Sequence, residues 1–426
     1  MVRVEKDWSA EAFLEEITKE IKQKVGDRKV FLLVSGGVDS TVVFALLNKV
    51  LGQGKVLGLH VDSGLMRLGE STDILDFMKK NGFNNLDIYD AENDFLTALK
   101  GVSEPEKKRE IIGNMFIEVK TKAQAKLGLN ENEWIIAQGT IYPDVIETGN
   151  TGIGKVKTHH NRVDIVMELI EKGLIIEPLE TLYKDEVRKL GEYLGLPKDL
   201  VWRHPFPGPG LGVRCLCSNG KYDDKIENNE DLAKIAQKWG GEIIQLPVSS
   251  VGVKEDARTY AHPAAVFGSK EFDVLAKCTG TYNHEDISTK LTAEIISNVK
   301  SVNRVVLSIF SECGDRKYSL KEGYCTKARL DKLRAIDKIV NNAIISSGEY
   351  EKLWQMPVVL LPLVNSKGNE TIVIRPINSS DALTAKVYDL PMSVFEEIIS
   401  KSREIEGIGD IFLDITPKPP ATIEWE

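Results

Sequence analysis

Glycine and hydroxyl residues are concentrated in one short segment, Ser35–Thr41, whose order is Ser-Gly-Gly-Val-Asp-Ser-Thr. The two glycines let the backbone turn tightly and approach an anion, and the N–H groups of such a turn converge on one point. The hydroxyls of Ser35, Ser40 and Thr41 add further hydrogen-bond donors. The segment therefore predicts a phosphate-binding loop.

Asp39 restricts what this loop can bind, because its carboxylate repels a bare phosphate. A divalent cation between the two removes that repulsion, and magnesium is commonly held by one or two carboxylates together with substrate phosphates. Asp39 therefore predicts a magnesium–nucleotide ligand. The Gly-Lys-Ser/Thr ending of a Walker A loop does not follow the glycines, so the loop belongs to another class of nucleotide site.

The elements around the loop predict how it is held. An unbroken apolar run, Val30–Val34, precedes it as a buried strand, and Val42–Val50 follows with helical spacing. Further strands are predicted over Val56–Val61, Leu86–Tyr89 and Trp134–Ala137, and further helices over Phe13–Val25, Ile74–Met78, Lys108–Lys126 and Tyr183–Leu194. This alternation predicts the α/β class, with a parallel sheet covered by helices on both faces.

The pattern changes at His204–Gly210, His-Pro-Phe-Pro-Gly-Pro-Gly, which can continue neither a helix nor a central strand. Two interpretations stay open: a rigid interdomain linker, or a fixed backbone presented to a ligand. We predict one domain over residues 1–206 and a second, α+β domain over residues 207–426.

The second domain contains a weak internal echo. Leu246–Val248 is followed by Val302–Ile309, and Met356–Val358 is followed by Ile408–Ile415. Each half is predicted as strand, helices, strand, which indicates a duplicated subdomain.

Composition limits the function classes. The chain has 426 residues, 42 % hydrophobic and 28 % charged, typical of a soluble two-domain protein. Its net charge of −9 argues against a nucleic-acid binder. Neither a signal peptide nor a membrane-length apolar run is present, which favours a cytoplasmic protein without a membrane partner. The five cysteines show no paired framework, so free thiols are expected.

Several longer strings narrow the class further. They are Val61–Arg67, Arg109–Gly113, Ala137–Glu147, Lys157–Asn161, Glu177–Leu179, Lys184–Arg188, Arg203–Leu211 and Lys418–Glu426. The loop resembles that of the ATP pyrophosphatase superfamily, whose members cleave ATP between the α and β phosphates. The strings together resemble the synthetase part of GMP synthetases, from about residue 29 to the C-terminus.

The resemblance implies an ATP site. Its phosphate-binding residues are Ser35, Gly36, Gly37, Val38, Asp39, Ser40 and Thr41, with Asp39 on magnesium. Val61 and Phe116 match positions that pack on the adenine, and Lys157 matches one that reaches the pyrophosphate. Core packing and a solvated lysine are the alternatives. The pair His159-His160 is interpreted as part of a loop over the nucleotides, because adjacent residues rarely face one metal ion.

The resemblance also implies an XMP site between the domains. The residues that match its contacts are Arg109, Pro207, Gly208, Asp256, Gln355, Lys418, Thr422, Ile423 and Glu424. Arg109 and Lys418 are cations suited to a phosphate, while Asp256 and Glu424 accept hydrogen bonds from hydroxyl or N–H groups. A surface charge is the alternative for each of them taken alone.

The implied activity is that of a carbon–nitrogen ligase, a GMP synthase. ATP, a co-substrate used with Mg²⁺, adenylates XMP at carbon 2, and ammonia displaces AMP to give GMP and pyrophosphate. No protein nucleophile is needed. A tRNA-thiolating enzyme of the same superfamily and a catalytically inactive nucleotide-binding regulator are the rival hypotheses; the net charge of −9 opposes the first and the presence of Asp39, Lys157 and Glu424 opposes the second.

The sequence departs from the family in two places. Many GMP synthetases carry an N-terminal glutaminase domain, whereas about 28 residues without Cys or His precede the first strand here. We therefore expect a synthetase subunit that uses free ammonia or a separate glutaminase partner. The C-terminal half contains an insertion at about residues 216–350, and its echo suggests a duplicated dimerisation-type subdomain. A monomer is expected if the second copy occupies the pairing face, and a homodimer if it does not.

Overall fold

A computed structural model describes residues 8–130, 132–142, 172–221, 230–254, 257–268, 284–379 and 383–426. The chain divides into two compact units. The first consists of residues 1–63, 69–92 and 115–206, and the second of residues 64–68, 93–114 and 207–426. Two segments from the first half of the sequence thus belong to the second unit. Within the described ranges, no helix has both the length and the apolar character needed to cross a membrane.

Helices and strands alternate along the first half of the chain. Its helices are α1 (Ala10–Val25), α2 (Val38–Leu51), α3 (Glu70–Lys80), α4 (Glu92–Ala98), α5 (Pro105–Lys126), α6 (Lys184–Tyr193) and α7 (Lys198–Val201). Its strands are β1 (Lys29–Leu33), β2 (Val56–Asp62), β3 (Leu86–Asp90), β4 (Trp134–Ala137) and β5 (Ile175–Ile176). The side chain of Ser9 accepts a hydrogen bond from the Ala12 N–H at 3.2 Å and caps the N-terminus of α1.

The first unit is built on a parallel sheet with strand order β3-β2-β1-β4-β5. The order reverses between β1 and β4, because the chain leaves β1 towards β2 and β3 and returns on the other side at β4. Ligands of open α/β sheets bind at the carboxyl ends of the strands at such a switch point. The predicted α/β class with a parallel sheet is confirmed.

The core of the first unit explains why β1 and α2 have few polar residues. Val30 and Leu32 on β1, with Val42 and Leu46 on α2, lie in one buried cluster and are at most 1 % exposed. A strand covered on both faces has no solvent side, so its sequence is a continuous apolar run. Packing of β1 against α2 in this cluster fixes the position of the loop between them.

The second unit contains the remaining elements. Its helices after residue 206 are α8 (Glu230–Trp239), α9 (His284–Asn298), α10 (Lys327–Ser346) and α11 (Met392–Ser402). Its strands are β6 (Ser218–Asn219), β7 (Glu242–Gln245), β8 (Ser250–Lys254), β9 (Ala257–Phe267), β10 (Val302–Ser311), β11 (Ser319–Leu320), β12 (Glu322–Gly323), β13 (Val358–Val364), β14 (Glu370–Ile374), β15 (Ile377–Asn378), β16 (Lys386–Val387) and β17 (Ile408–Asp414).

The main sheet of the second unit repeats one topology twice. Its order is β11-β13-β14-β17-β10-β9-β7, with β8 paired to β9. In one half α8, β7, β9, α9 and β10 follow each other, with β7 antiparallel and β10 parallel to β9. In the other half α10, β13, β14, α11 and β17 do the same around β14. The halves meet where β10 pairs antiparallel with β17, as expected for a pseudo-two-fold duplication.

Two of the four echo segments differ from the prediction. The predicted strands at Val302 and Ile408 are present as β10 and β17. Leu246–Val248 instead lies just after β7, and β13 begins only at Val358, after Pro357. Proline cannot donate a ladder hydrogen bond, so the regular strand stops before Pro247 and starts after Pro357.

Candidate functional site

The loop between β1 and α2 forms a compact turn. Gly36 has φ +81°, and a Cβ there would clash with Ile74. The Ser35 Oγ accepts from the Gly37 N–H at 3.2 Å and lies 3.0 Å from the Ser40 Oγ. Helix α2 begins at Val38, and no side chain of the described residues caps this end. The first N–H groups of α2 have no acceptor within the helix, so they can be offered to an anion.

The outer face of this loop is formed by Ser35 and Gly37, which are exposed, and by Asp39, which is half-buried. Thr41 differs from the prediction. Its side chain is 0 % exposed, its N–H donates to the Gly37 carbonyl at 3.2 Å, and its Oγ1 has no partner among the described residues. Thr41 therefore faces the core behind the loop, where its hydroxyl does not point at the anion site.

The neighbouring strand β4 ends against the same loop. A Cβ on Gly139 would lie 3.1 Å from the Ser40 backbone nitrogen, so only glycine lets the segment after β4 approach α2 this closely. On the other side, the β1–β2 register pairs Leu33 with Leu59, which places Val61 level with Ser35. Val61 is 6 % exposed, and Phe116 is half-buried on α5.

Two cations to which the sequence assigned no site role, Lys184 and Arg203, lie beside the loop. The Lys184 Nζ lies 2.8 and 2.6 Å from the two carboxylate oxygens of Asp39. Arg203 donates to the Gly36 carbonyl and forms an ion pair with Glu70. Lys184 opens α6 and Arg203 precedes the proline-rich segment, so neither has a local signal that ties it to a loop over 140 residues away. Their type alone, a cation in a nucleotide-binding protein, was the available clue.

In the second unit, most described residues of the predicted XMP set lie on one continuous series of backbone pairings, which we call the C-terminal ladder. Gln355 pairs with Ile377 on β15, β15 pairs with β16, and Ala385 before β16 pairs with Lys418. The tail then crosses β8, where Gly252 pairs with Ala421. The ladder thus brings Gln355, Lys418 and the C-terminal tail together although over 60 residues separate the first two.

The C-terminal tail, Lys418–Glu426, is docked on the second unit. Ala421 and Trp425 are 0 % exposed and Glu426 is 5 % exposed, while the three residues Thr422–Glu424 between them are half-buried. The Val251 N–H donates to the Trp425 carbonyl at 3.0 Å, which fixes the end of the tail on β8. Thr422, Ile423 and Glu424 are therefore presented at the surface between two buried anchors.

A buried ion cluster holds this anchor. Asp414 on β17 is 0 % exposed and forms ion pairs with Arg304 at 2.6 Å and Arg375 at 2.8 Å. Its carboxylate also accepts from the Trp425 Nε1 at 3.0 Å, and the Arg304 guanidinium stacks on the Trp425 ring at 4.8 Å. Burial alone would raise the pKa of Asp414, but attraction to Arg375 and Arg304 outweighs it and holds that pKa below its usual value.

The carboxylate of Glu424 is bound by Arg214, with the Nε 3.0 Å from one oxygen and the Nη2 2.9 Å from the other. Arg214 is 0 % exposed and ends the segment that begins at Pro207. In that segment the Gly210 N–H donates to the Pro207 carbonyl at 2.8 Å, and a Cβ on Gly208 would meet open space. The proline-rich segment is thus a fixed turn whose end is tied to the tail.

Arg109 lies at the start of α5, where its Nη1 donates to the Glu106 carboxylate at 2.8 Å. Glu106 also accepts from Arg258 and from the Tyr260 hydroxyl, both on β9. Since β9 pairs with β8, Arg109 belongs to the same side of the second unit as the tail. Gln355 is 3 % exposed, so its side chain is more enclosed than a ligand-contacting role predicts.

Lys157, Asp256 and the pair His159-His160 lie outside the described residues. No group of three or more His, Cys, Asp or Glu residues placed to hold a metal ion occurs in the ranges given above. For magnesium, the one predicted protein ligand is Asp39, with a side chain 27 % exposed.

Comparison with known proteins gives the family. The NAD synthase family model matches residues 10–140, and the GMP synthase C terminal domain model matches residues 224–314 and 342–425. The probable glutamine-hydrolyzing GMP synthase of Leptospira interrogans is 43 % identical over 99 % of this chain and 68 % of that protein. The chain belongs to the GMP synthase family. A second relative, the probable GMP synthase of Caenorhabditis elegans, is 33 % identical over 96 % of this chain and 65 % of that protein.

The family assignment confirms the predicted activity, GMP synthesis by a carbon–nitrogen ligase, and the use of ATP. The chain spans about two thirds of the length of these two relatives. The two stretches matched by the GMP synthase C terminal domain model fall one in each half of the repeated topology, which supports the duplicated subdomain. Among solved structures, NMN synthetase from Francisella tularensis gives a TM-score of 0.34 at 19 % identity over 48 % of this chain and 79 % of that chain, too distant to add to the family match.

Proposed function

We propose that this chain transfers the adenylyl group of ATP to the carbon 2 oxygen of XMP and then lets ammonia displace AMP to form GMP. The observation that carries the proposal is the compact glycine-containing loop between β1 and α2, at the switch point of a parallel sheet. That oxygen is a poor leaving group, whereas AMP leaves easily. Adenylation therefore turns a carbon that ammonia attacks slowly into a reactive one.

The loop is suited to the phosphates of ATP. The N–H groups at the start of α2 are the proposed donors, and the exposed residues Ser35 and Gly37 form the turn that leads into them. These donors are fixed by the hydrogen bonds within the loop, so they need no rearrangement when charge develops. Val61, level with Ser35, is proposed to pack on the adenine, together with Phe116.

The departing pyrophosphate needs cations. Lys184 lies on the Asp39 side of the loop and is proposed as one of them, alongside Lys157. Asp39 fits a magnesium ion, since one carboxylate together with phosphate oxygens and water is a common ligand set for this ion. When bound, magnesium neutralises phosphate charge. The part played by the chain is to hold Asp39 in the first turn of α2 and Lys184 within 3 Å of it.

XMP is proposed to bind along the C-terminal ladder. Thr422, Ile423 and Glu424 are half-buried there between buried anchors, and Lys418 precedes them. Glu424 is held by Arg214, which leaves its remaining lone pairs to accept from the base or the ribose. Arg109, Pro207, Gly208, Asp256 and Gln355 complete the proposed set.

The nitrogen donor at this chain is proposed to be ammonia, delivered free or by a glutaminase. The duplicated topology also suggests the oligomeric state. Antiparallel pairing of β10 with β17 joins the two halves of the repeated topology inside one chain. A chain with only one such half could form this pairing only with a second chain. A monomer is proposed on that ground, and light scattering that gives twice the chain mass of 47.4 kDa would contradict it.

A product assay tests the proposal. Purified chain with XMP, ATP, Mg²⁺ and ammonium is expected to form GMP, AMP and pyrophosphate in equal amounts, and to cleave little ATP when XMP is left out. IMP replaces XMP in a matched control, because it lacks the oxygen on carbon 2. Formation of ADP, or ATP cleavage that does not depend on XMP, would contradict the proposal.

A further inference from the structure

Three thiols meet in the second unit where β6 pairs with β12. These strands pair Ser218 with Gly323; Cys217 directly precedes β6 and Cys325 follows β12 by two residues, so both cysteines lie at the same end of the pair. The Sγ atoms of Cys217 and Cys325 are 3.6 Å apart. Cys215, two residues before Cys217, is fully buried. The paired strands therefore hold the two segments that carry Cys217 and Cys325 next to each other.

A buried ammonium group faces this cluster. Lys108 on α5 is 0 % exposed, and its Nζ lies 3.6 Å from the Cys217 Sγ. It also donates to the carbonyls of Gly212 at 2.9 Å and Cys215 at 3.0 Å, and forms an ion pair with Glu426. Lys108 is therefore held in place by four partners. A cation fixed next to a thiol favours its thiolate form.

The charges around the cluster select one thiol for ionisation. Hydrogen bonds from Cys215 and Cys325, together with Lys108 and Arg329, lower the pKa of Cys217 although burial opposes this. Hydrogen bonding to the other two thiols and burial raise the pKa of Cys325. Burial raises the pKa of Glu426 to about 7 despite the attraction of Lys108.

Access separates the same two thiols. Cys217 is half-buried and lines a cavity of about 310 Å³, together with Ser249, His262 and Glu426. Cys325 is 2 % exposed. A small polar oxidant therefore reaches Cys217 first. The Cys325 Sγ is buried and lies 3.6 Å from the Cys217 Sγ.

We propose that Cys217 is an oxidation site for hydrogen peroxide and that Cys325 resolves the product to a disulfide. The Cys217 thiolate attacks one peroxide oxygen, the O–O bond breaks, and the sulfur becomes a sulfenic acid while hydroxide leaves and takes up a proton as water. The Cys325 sulfur then attacks the Cys217 sulfur; an S–S bond forms, the S–O bond breaks, and the Cys325 proton leaves with the hydroxyl as water.

The disulfide requires little movement. An S–S bond is about 2.05 Å long, so sulfurs that start 3.6 Å apart approach by about 1.5 Å. The bond links Cys217, just before β6, to Cys325, just after β12, and these two strands are already paired. A thiol reductant restores both cysteines.

The first test measures which thiol is ionised. Native protein is alkylated with limiting iodoacetamide between pH 6 and 8, and the rate at each cysteine is read by peptide mass spectrometry. The Cys217 rate is expected to change less than about twofold, whereas in the urea-unfolded chain it should fall roughly 80-fold from pH 8 to pH 6, as for a free thiol. A native Cys217 rate that follows the unfolded profile overturns the proposal.

The second test identifies the disulfide. Treatment with hydrogen peroxide is expected to give a Cys217–Cys325 linked peptide that a reductant reverses. Cys325→Ser should instead leave a sulfenic acid on Cys217 that dimedone traps, while Cys313→Ser, a change at the other described half-buried cysteine, should leave the disulfide intact. A linkage through Cys215, or irreversible oxidation of Cys217 in the native chain, overturns it. These readouts do not use the synthetase reaction, so they stand apart from the proposed function.

Discussion

Replacement of Lys184 by methionine separates a catalytic role from a structural one. The Lys184–Asp39 pair is partly solvated, with side chains 40 % and 27 % exposed, so its loss is expected to change stability by about 0–1 kcal/mol. For a unit of this size, that shifts the melting temperature by at most about 4 °C. A cation that stabilises a leaving pyrophosphate is worth far more, about 2.7–4 kcal/mol, or a 10²–10³-fold loss in kcat.

The assay is XMP-dependent pyrophosphate release, measured with thermal unfolding on the same preparations. Lys184→Met is expected to lose 10²–10³-fold in rate with a near-native melting temperature. Lys189→Met is the matched control, because Lys189 is an exposed lysine on the same helix, α6. If Lys184→Met loses no more than about threefold in rate relative to the control, the loss is far smaller than expected and the role of Lys184 at the pyrophosphate is refuted.

Three further changes probe the two units. Gly139→Ala places a Cβ 3.1 Å from the Ser40 nitrogen, so kcat should fall about 3- to 10-fold in the same assay, while Gly54→Ala, which meets open space, should not alter it. Asp414→Asn leaves two buried arginines without their counter-charge and should lower the free energy of unfolding by about 3–5 kcal/mol in urea at pH 7. Because the native pKa of Asp414 is depressed, its stabilisation is present above about pH 4 and is lost as pH falls through the native pKa. The difference in free energy of unfolding between wild type and Asp414→Asn should therefore become smaller in acid. A difference that stays constant with pH contradicts the ion cluster. Glu424→Gln should raise KM for XMP about 10- to 100-fold and leave KM for ATP within about twofold, since charged hydrogen bonds are worth about 1.5–3 kcal/mol; equal effects on both KM values contradict the assignment.

Local patterns were sufficient for the first unit. The apolar run before Ser35 placed β1 within one residue at each end, because burial on both faces leaves a clear sequence signature. The helical spacing from Val42 to Val50 predicted α2 but missed its first turn, which begins at Val38. Trp134–Ala137 was predicted with its observed bounds. The strands of the second unit were harder: β8 and β9 were not predicted, since their pairing depends on partners far along the chain.

In the candidate site, too, residues that are neighbours in sequence were predicted and residues brought together by the tertiary fold were not. The loop residues are neighbours in sequence, and their types suffice to predict an anion site. Lys184 and Arg203 reach the loop only through the tertiary fold, so spacing could not assign them. Thr41 was placed with the loop, although the helix turns its side chain to the core; the 3.6-residue period decides such orientation only when the start of the helix is known.

Transfer of the adenylyl group to the purine oxygen is the central claim, and one isotope experiment tests it directly. XMP carrying ¹⁸O at carbon 2 is converted with ATP, Mg²⁺ and ammonium, and the AMP is analysed by mass spectrometry. The account predicts AMP with one ¹⁸O per molecule and unlabelled pyrophosphate. If the label appears in pyrophosphate or water, or if the AMP is unlabelled, the purine oxygen did not attack the α-phosphorus and the account is contradicted.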